Sequence, residues 1–240
     1  MLIAEKLSLN YIGEDLFEDV NFAFCGKDKK RIAIVGKNGC GKSSLIKILL
    51  GEIKPNEGKV KIYDEKIGYI PQEIDFGKFE LVGEYLESGV TNEWENYKID
   101  IAFEKMGLPS EYLIKDVRTL SGGEKIKVAL AYILLKEPTI LLLDEPTNNL
   151  DLAGMKWLEK FIRDFSGSIM VVSHDRSLIN HVMKEVWEVS NEEKGMIAYT
   201  GSYEDFLVQR KERFDRKMHD YLASSRKIEK LETWIKINQK

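Results

Sequence analysis

Apolar and polar positions alternate over residues 2–9 and again over 19–24, which predicts two antiparallel strands around a turn near Gly13-Glu14-Asp15. Arg31-Ile-Ala-Ile-Val35 is a short apolar run flanked by charge, as in a buried strand. Ser44-Leu-Ile-Lys-Ile-Leu-Leu50 then has helical spacing and stops at Gly51. Pro55-Asn56-Glu57-Gly58 predicts a turn into a strand over 59–63, and Ile67–Ile70 reads as another strand, ending at Pro71-Gln72. From 80 to 117 the period changes to helical in Leu81–Leu86 and Trp94–Met106, broken by Gly107-Leu-Pro109, so a small helical subdomain is expected over about 80–135. Lys125–Leu135 and 153–165 read as helices. Ile140–Leu143 and Ser168–Val172 are too apolar for half-exposed strands and suit the middle of a parallel sheet. Residues 185–190 and 195–200 read as a closing hairpin.

Composition adds limits. The 240 residues are 43% hydrophobic and 32% charged, as in a globular protein large enough for one sizeable domain or two small ones. No apolar run approaches the roughly 20 residues of a membrane span, so no membrane insertion is expected. The opening Met-Leu-Ile-Ala-Glu-Lys lacks the basic and apolar regions of a signal peptide. Two cysteines, Cys25 and Cys40, make no disulfide framework, and a cytoplasmic location is expected. A net charge of −4 argues against a general nucleic-acid binder.

The chemistry centres on Gly36-Lys37-Asn38-Gly39-Cys40-Gly41-Lys42-Ser43, which fits G-x-x-x-x-G-K-[ST] between a strand and a helix. Gly36, Gly39 and Gly41 allow a tight turn whose N–H groups point at phosphate oxygens, with the helix N-terminus adding positive charge. Lys42 is expected to reach the β- and γ-phosphates and the Ser43 hydroxyl to ligate Mg²⁺, with Ser44 completing the segment. The fold class is then α/β: a P-loop NTPase with a mostly parallel core sheet, an antiparallel β subdomain and a helical subdomain. The strand 140–143 ends in Asp144 and Glu145, at the edge where an α/β sheet binds its ligand. Asp144 is expected to hold Mg²⁺ and Glu145 to polarise an attacking water. His174 ends another such strand; a structural histidine is the bland alternative, and a γ-phosphate contact is favoured. Tyr11 is either a packing residue or a base-stacking one. Ser121 is a plausible N-cap with Glu124 in a capping box, which alone marks only a helix start.

The tail differs from the rest. Apolar residues from Tyr203 to Ile235 recur at three- and four-residue steps with no Pro or Gly after Gly201, predicting one long helix or a helical hairpin arm. Residues 202–240 hold ten Lys/Arg against seven Asp/Glu, so the tail is +3 and the remainder −7. A chain ended at Gly201 is expected to fold and bind nucleotide.

In order, the P-loop, Gln72, Leu120-Ser-Gly-Gly-Glu124, Ile140–Glu145, Asn149-Leu-Asp151 and His174 resemble the nucleotide-binding domain of the ATP-binding cassette superfamily over roughly residues 1–200. The resemblance implies an ATPase using ATP and Mg²⁺, with Tyr11 stacking on adenine and Gln72 coupling Mg²⁺ to movement. It implies that Ser121, Gly122 and Gly123 bind the γ-phosphate held by an opposing cassette, in cis or in a homodimer, with Asp151 at the interface. Glu145-Pro-Thr-Asn-Asn-Leu-Asp151 and Val172-Ser-His-Asp-Arg176 are similar to the soluble ABC-F proteins, which act on ribosomes and join two cassettes by a long helical linker. Tyr203-Glu-Asp-Phe206 and the charged helix resemble the start of that linker, which would meet ribosome or tRNA; domains 1–201 and 202–240 follow. The family more often has His where Asn149 stands. The 48 residues between Gln72 and Ser121 leave little room for an added arm, as in ribosome-protection members associated with antibiotic resistance. The alternatives are the ATPase subunit of a membrane transporter and a mechanical ATPase of DNA maintenance. The second is disfavoured because no coiled coil interrupts the cassette.

Overall fold

The structure, a computed structural model, describes residues 1–11, 14–90, 92–190 and 192–238; the side chains of residues 11, 14, 93, 226 and 229–238 lie outside the description. Two sheets organise it. Strands β1 (Leu2–Tyr11), β2 (Glu14–Phe24) and β4 (Glu57–Ile62) form an antiparallel sheet in the order β2-β1-β4. Its strands run longer than their alternation because Lys6 and Asp19 take left-handed backbone angles at irregularities in the pairing, which shifts the two-residue period. The second sheet has the order β5-β6-β7-β3-β8-β9, from β3 (Arg31–Val35), β5 (Ile67–Ile70), β6 (Ile140–Asp144), β7 (Ser168–Val172), β8 (Glu185–Ser190) and β9 (Gly195–Thr200). Its pairings are parallel except β8 with β9.

The apolar runs are continuous because this sheet is covered on both faces. Ala33, Val35, Leu141, Leu143, Ile169 and Val171 join one core cluster, while Ile32, Ile34, Ile140, Leu142, Met170 and Val172 join the other. Successive side chains of a strand point to opposite faces, so each strand feeds both cores. Helix α1 (Lys42–Leu49) joins the second cluster through Leu45, Ile46, Ile48 and Leu49, between the two sheets. The first cluster takes α2 (Val82–Glu87), α3 (Tyr97–Met106), α4 (Gly122–Leu135), α5 (Leu152–Asp164) and α6 (Arg176–Val182). The helical pattern expected from Trp94 divides into a 3-10 turn over Glu93–Glu95 and α3. Helix α6 has no counterpart in the sequence reading; Asp175 starts it by accepting from Leu178 N at 3.0 Å.

Arg31 opens β3 as a buried residue (6% exposed), and among the described residues its guanidinium is held by backbone carbonyls. Its Nε donates to Ile162 O at 2.6 Å, Nη1 to Gly167 O at 2.7 Å and Nη2 to Phe165 O. It thus closes the C-terminus of α5, where unpaired carbonyls and the negative end of the helix dipole await a cation.

The tail is one helix, α7 (Tyr203–Asn238), about 54 Å long at 1.5 Å per residue. Its start is seated on the sheet rather than leaving it at 201. Phe206 is 4% exposed, packs edge-on against Tyr199 at 5.1 Å and belongs to the first core cluster. Arg210 meets the buried Glu188 at 2.7 Å, and Arg213 and Lys217 meet Glu193 at 2.6 and 2.7 Å. Further along, Phe214, Met218, Tyr221, Leu222 and Ile228 are exposed. The seat changes the expectation for a shortened chain. Ending after Gly201 should cost about 2–4 kcal/mol from loss of the Phe206 packing, whereas ending after Lys217 should cost little. Thermal unfolding of the two truncations checks this; equal melting temperatures would mean the seat contributes nothing.

Candidate functional site

The phosphate loop leaves the C-terminal end of β3 and enters α1. Lys42 is buried, and its Nζ donates to Gly36 O at 2.9 Å and Lys37 O at 3.1 Å, so the ammonium sits inside the curl of its own loop. Gly41 has φ +97°, and a Cβ there would lie 3.2 Å from the Phe17 ring and 3.3 Å from Leu16. Only glycine meets both demands, a left-handed backbone and the close approach of β2.

Beside the loop, β6 and β7 end. A cleft of about 660 Å³ is lined by Asn38, Gly39, Gly41, Lys42, Ser43, Ser44, Gln72, Asp144, Glu145 and His174, together with Leu16, Asn148 and Val172. Glu145 N donates to Val172 O at 2.8 Å, and the residue turns with φ +47°. Its carboxylate accepts from His174 N at 3.3 Å and lies 3.5 Å from His174 Nε2. Burial pushes the Glu145 carboxyl above the usual range, against the pull of His174 and Lys42. Burial likewise raises Asp144, opposed by the Ser43 hydroxyl and Lys42.

The cleft brings together ten of the residues named from the sequence and leaves others outside it. Gly36, Lys37 and Cys40 line a neighbouring hollow of about 380 Å³ that reaches Tyr203, Phe206 and Arg210 of α7. Lys37 there meets the exposed Glu192 at 2.6 Å. Ser121, Gly122 and Gly123 are not in the cleft lining; they open α4. The capping box expected there is present: Ser121 N donates to Glu124 Oε2 at 2.6 Å and Glu124 N to Ser121 Oγ at 3.4 Å. The Tyr112 hydroxyl and Lys115 also hold Glu124, whose carboxyl falls to about 2. Tyr11 ends β1, paired with Glu14, but its side chain, and hence the stacking expectation, lies outside the description. Leu16 carries no signal in the sequence, lying outside both stretches, 2–9 and 19–24, that read as strands. Asn148 lies within a motif already singled out.

The donors suit Mg²⁺. Asp144 is 4% exposed and its Oδ1 has no hydrogen-bond partner, as a carboxylate awaiting a cation would be. Ser43 and Gln72 add neutral oxygens in the same cleft. Among the described residues no group of three or more His, Cys, Asp or Glu could hold a metal by itself. A cation bound largely by phosphates and water, with one carboxylate and one hydroxyl from the protein, is the usual Mg²⁺ arrangement at a nucleotide.

A family model described as ABC transporter matches residues 18–148, and a second with the same description matches 189–240. ATP-binding protein Uup of Buchnera aphidicola is 32% identical over 95% of this chain and 39% of its own length. Energy-dependent translational throttle protein EttA of Escherichia coli K12 is 31% identical over 86% of this chain and 44% of its own. Putative ATP-binding protein YdiF of Bacillus subtilis is 29% identical over 99% and 43%. Among solved structures, cbiO1 from Clostridium perfringens, part of the ABC transporter complex cbiONQ, superposes with a TM-score of 0.71 at 28% identity, covering 90% of this chain and 93% of that one. A dimeric ATP-binding cassette in a post-hydrolysis state with ADP and Pi shares the fold, with a TM-score of 0.68 at 23% identity over 83% and 98%. The chain belongs to the ATP-binding cassette (ABC transporter) family. It is a nucleotide-binding cassette of the kind whose members are ATPases binding ATP with Mg²⁺, and its relatives Uup and EttA are ABC-F proteins. It spans less than half the length of the three curated relatives named. Among the described residues no helix is long and apolar enough to cross a membrane.

Proposed function

We propose that this chain is one cassette of a cytoplasmic ABC-F ATPase that acts on the ribosome, and that it hydrolyses ATP only when a second cassette completes its site. The observation that carries the second part is the separation of Ser121-Gly122-Gly123 from the cleft that gathers Lys42, Ser43, Asp144 and Glu145. Phosphoryl transfer depends on positioning and charge stabilisation from every side, so a phosphate enclosed by one cassette alone reacts slowly. The Ser121-Gly122-Gly123 segment of a second copy, its signature loop, supplies the missing wall, with Asp151 near the shared face. Within the cleft, Lys42 binds the β- and γ-phosphates, the loop N–H groups cradle them, and Gln72 and His174 flank the γ-phosphate. Glu145 orients and deprotonates the water. Mg²⁺, held by Ser43, Asp144 and Gln72, would neutralise charge on the phosphate oxygens.

The ribosomal part rests on relatives. The match to YdiF takes in 99% of this chain, tail included, whereas the transporter cassette cbiO1 covers 90%. One relative carries the name translational throttle protein, and another, from Arabidopsis thaliana, is named ABC transporter F family member 2. Helix α7 is then the start of the linker toward ribosome or tRNA. Transporter cassettes among the structural neighbours keep the subunit of a membrane transporter as the second reading.

Specific activity should rise with protein concentration. Ser121→Arg and Glu145→Gln, each nearly inactive, should regain turnover on mixing, because one composite site of the mixed pair is then intact. Concentration-independent hydrolysis by a demonstrated monomer would sink the shared-site reading. Co-sedimentation with ribosomes in ATP but not ADP tests the ribosomal part.

A further inference from the structure

Gly122 and Gly123 are glycines for different reasons. Neither has a positive φ, so the backbone does not demand glycine at either position, and glycine is otherwise unfavourable in a helix. A Cβ on Gly122 would lie 2.4 Å from Asn149 O and 3.1 Å from Asn149 Cβ, closer than atoms can pack. A Cβ on Gly123 would meet only Leu150 Cδ2, at an ordinary 3.6 Å. The first glycine is bare because the cassette's own 145–151 loop lies on it. Among the described residues no close contact requires the second.

Asn149 makes this contact from a left-handed backbone, φ +66°. Asn and His are both enriched in that region, whereas β-branched residues are outliers there. This explains how Asn can stand where the resembled family more often has His. The loop is fixed on either side of the contact. Asn148 N donates to Glu145 O and Leu150 N to Thr147 O, both at 3.2 Å, and Asp151 caps α5 by accepting from Gly154 N at 2.7 Å. The α4 side is held by the Ser121–Glu124 capping box.

We infer that Asn149 is a positioning residue: its left-handed turn sets the carbonyl against Gly122 and so fixes the attitude in which Ser121-Gly122-Gly123 meets the triphosphate held by a second cassette. This rests on the shared-site reading. Asn149 touches no nucleotide and acts through Gly122. Gly123 leaves its clearance for the group that arrives from outside.

The test uses the 240-residue chain with Asn149→Val, Asn149→Gly, Asn149→His and Gly122→Ala. Affinity for a fluorescent MgATP analogue and ATPase activity at pairing concentrations are read separately. Asn149→Val and Gly122→Ala should keep nucleotide affinity within about twofold and lose about tenfold or more in turnover: the first forces a β-branched side chain into the left-handed region, which costs on the order of a tenfold change in an equilibrium, and the second drives a Cβ into the Asn149 carbonyl. Asn149→Gly and Asn149→His, which tolerate that region, should stay near wild type. Mixing Asn149→Val with Lys42→Ala should restore turnover, because the first supplies an intact phosphate loop and the second an intact signature loop. Equal loss in Asn149→Gly and Asn149→Val would overturn the backbone role. Failure of the mixture, where Ser121→Arg with Glu145→Gln does recover, would place the damage in the cassette's own Glu145 and overturn the inference alone. Concentration-independent wild-type hydrolysis would remove the shared-site reading and this inference with it.

Discussion

Glu145→Gln leaves MgATP bound and lowers turnover by about 10²–10⁴-fold, the usual range for loss of a general base. The amide keeps the shape at the end of β6 and can still accept from His174 N, now at 3.3 Å from the carboxylate. It cannot take a proton from water. Binding survives because the phosphate contacts come from the loop, Lys42 and Ser43, which the substitution leaves alone. The pH dependence follows from burial, which raises the Glu145 carboxyl above its ordinary value. The base must be ionised to act, so the wild-type rate falls as pH drops through a value above that of a free glutamate, and the variant's residual rate lacks this limb. For stability the sign is the opposite. A raised carboxyl binds its proton more readily folded than unfolded, so ionising Glu145 and Asp144 disfavours the folded state above their folded pKa values. A cation on Asp144 offsets that, and Mg²⁺ with nucleotide should raise the melting temperature at neutral pH. Equilibrium binding, single-turnover hydrolysis and a pH–rate profile check these expectations. Turnover by Glu145→Gln at the wild-type rate would show that the base is elsewhere.

Arg31→Met removes about 3–5 kcal/mol of stability through the acceptors it leaves unsatisfied, although the residue is far from any reacting atom. The aliphatic stem is matched in volume, so the loss reports the guanidinium. Without it the carbonyls of Ile162, Phe165 and Gly167 lose their donors in a buried place, and each unsatisfied group costs about 1–3 kcal/mol. Arg31→Lys recovers only part, because one ammonium cannot reach carbonyls spread around a planar fork. Burial lowers the Arg31 pKa, but from so high a value that the group stays charged at any pH used in such an experiment. Denaturant unfolding measures the difference; a loss below about 1 kcal/mol would mean that water takes over the orphaned carbonyls.

Local physics wrote much of this protein into its sequence. A buried parallel strand must be apolar throughout, so β3, β6 and β7 stand out as continuous runs with charge at their borders. The phosphate loop needs glycines at fixed spacing before a Lys and a Ser on the following helix, so Gly36 to Ser43 announces itself without any contact map. Ser121 and Glu124 form a capping box within four residues of each other, and that too is a local event. Tertiary structure alone decided the rest. Leu16 joins the cleft because β2 crosses over Gly41, a contact between residues that share no period or motif. Arg31 reads as a charge at the border of a strand, yet it is buried, because the end of α5 presents carbonyls that only folding brings to it. The helical pattern of α7 is plain in sequence, but Phe206 and Arg210 are held by Tyr199 and Glu188 on the neighbouring hairpin, so where the seated turns give way to the exposed ones is set by those partners. Gly122 and Gly123 look alike as letters. Only the approach of the Asn149 carbonyl, 27 positions further along the chain, separates a glycine required by packing from one left open to a second cassette.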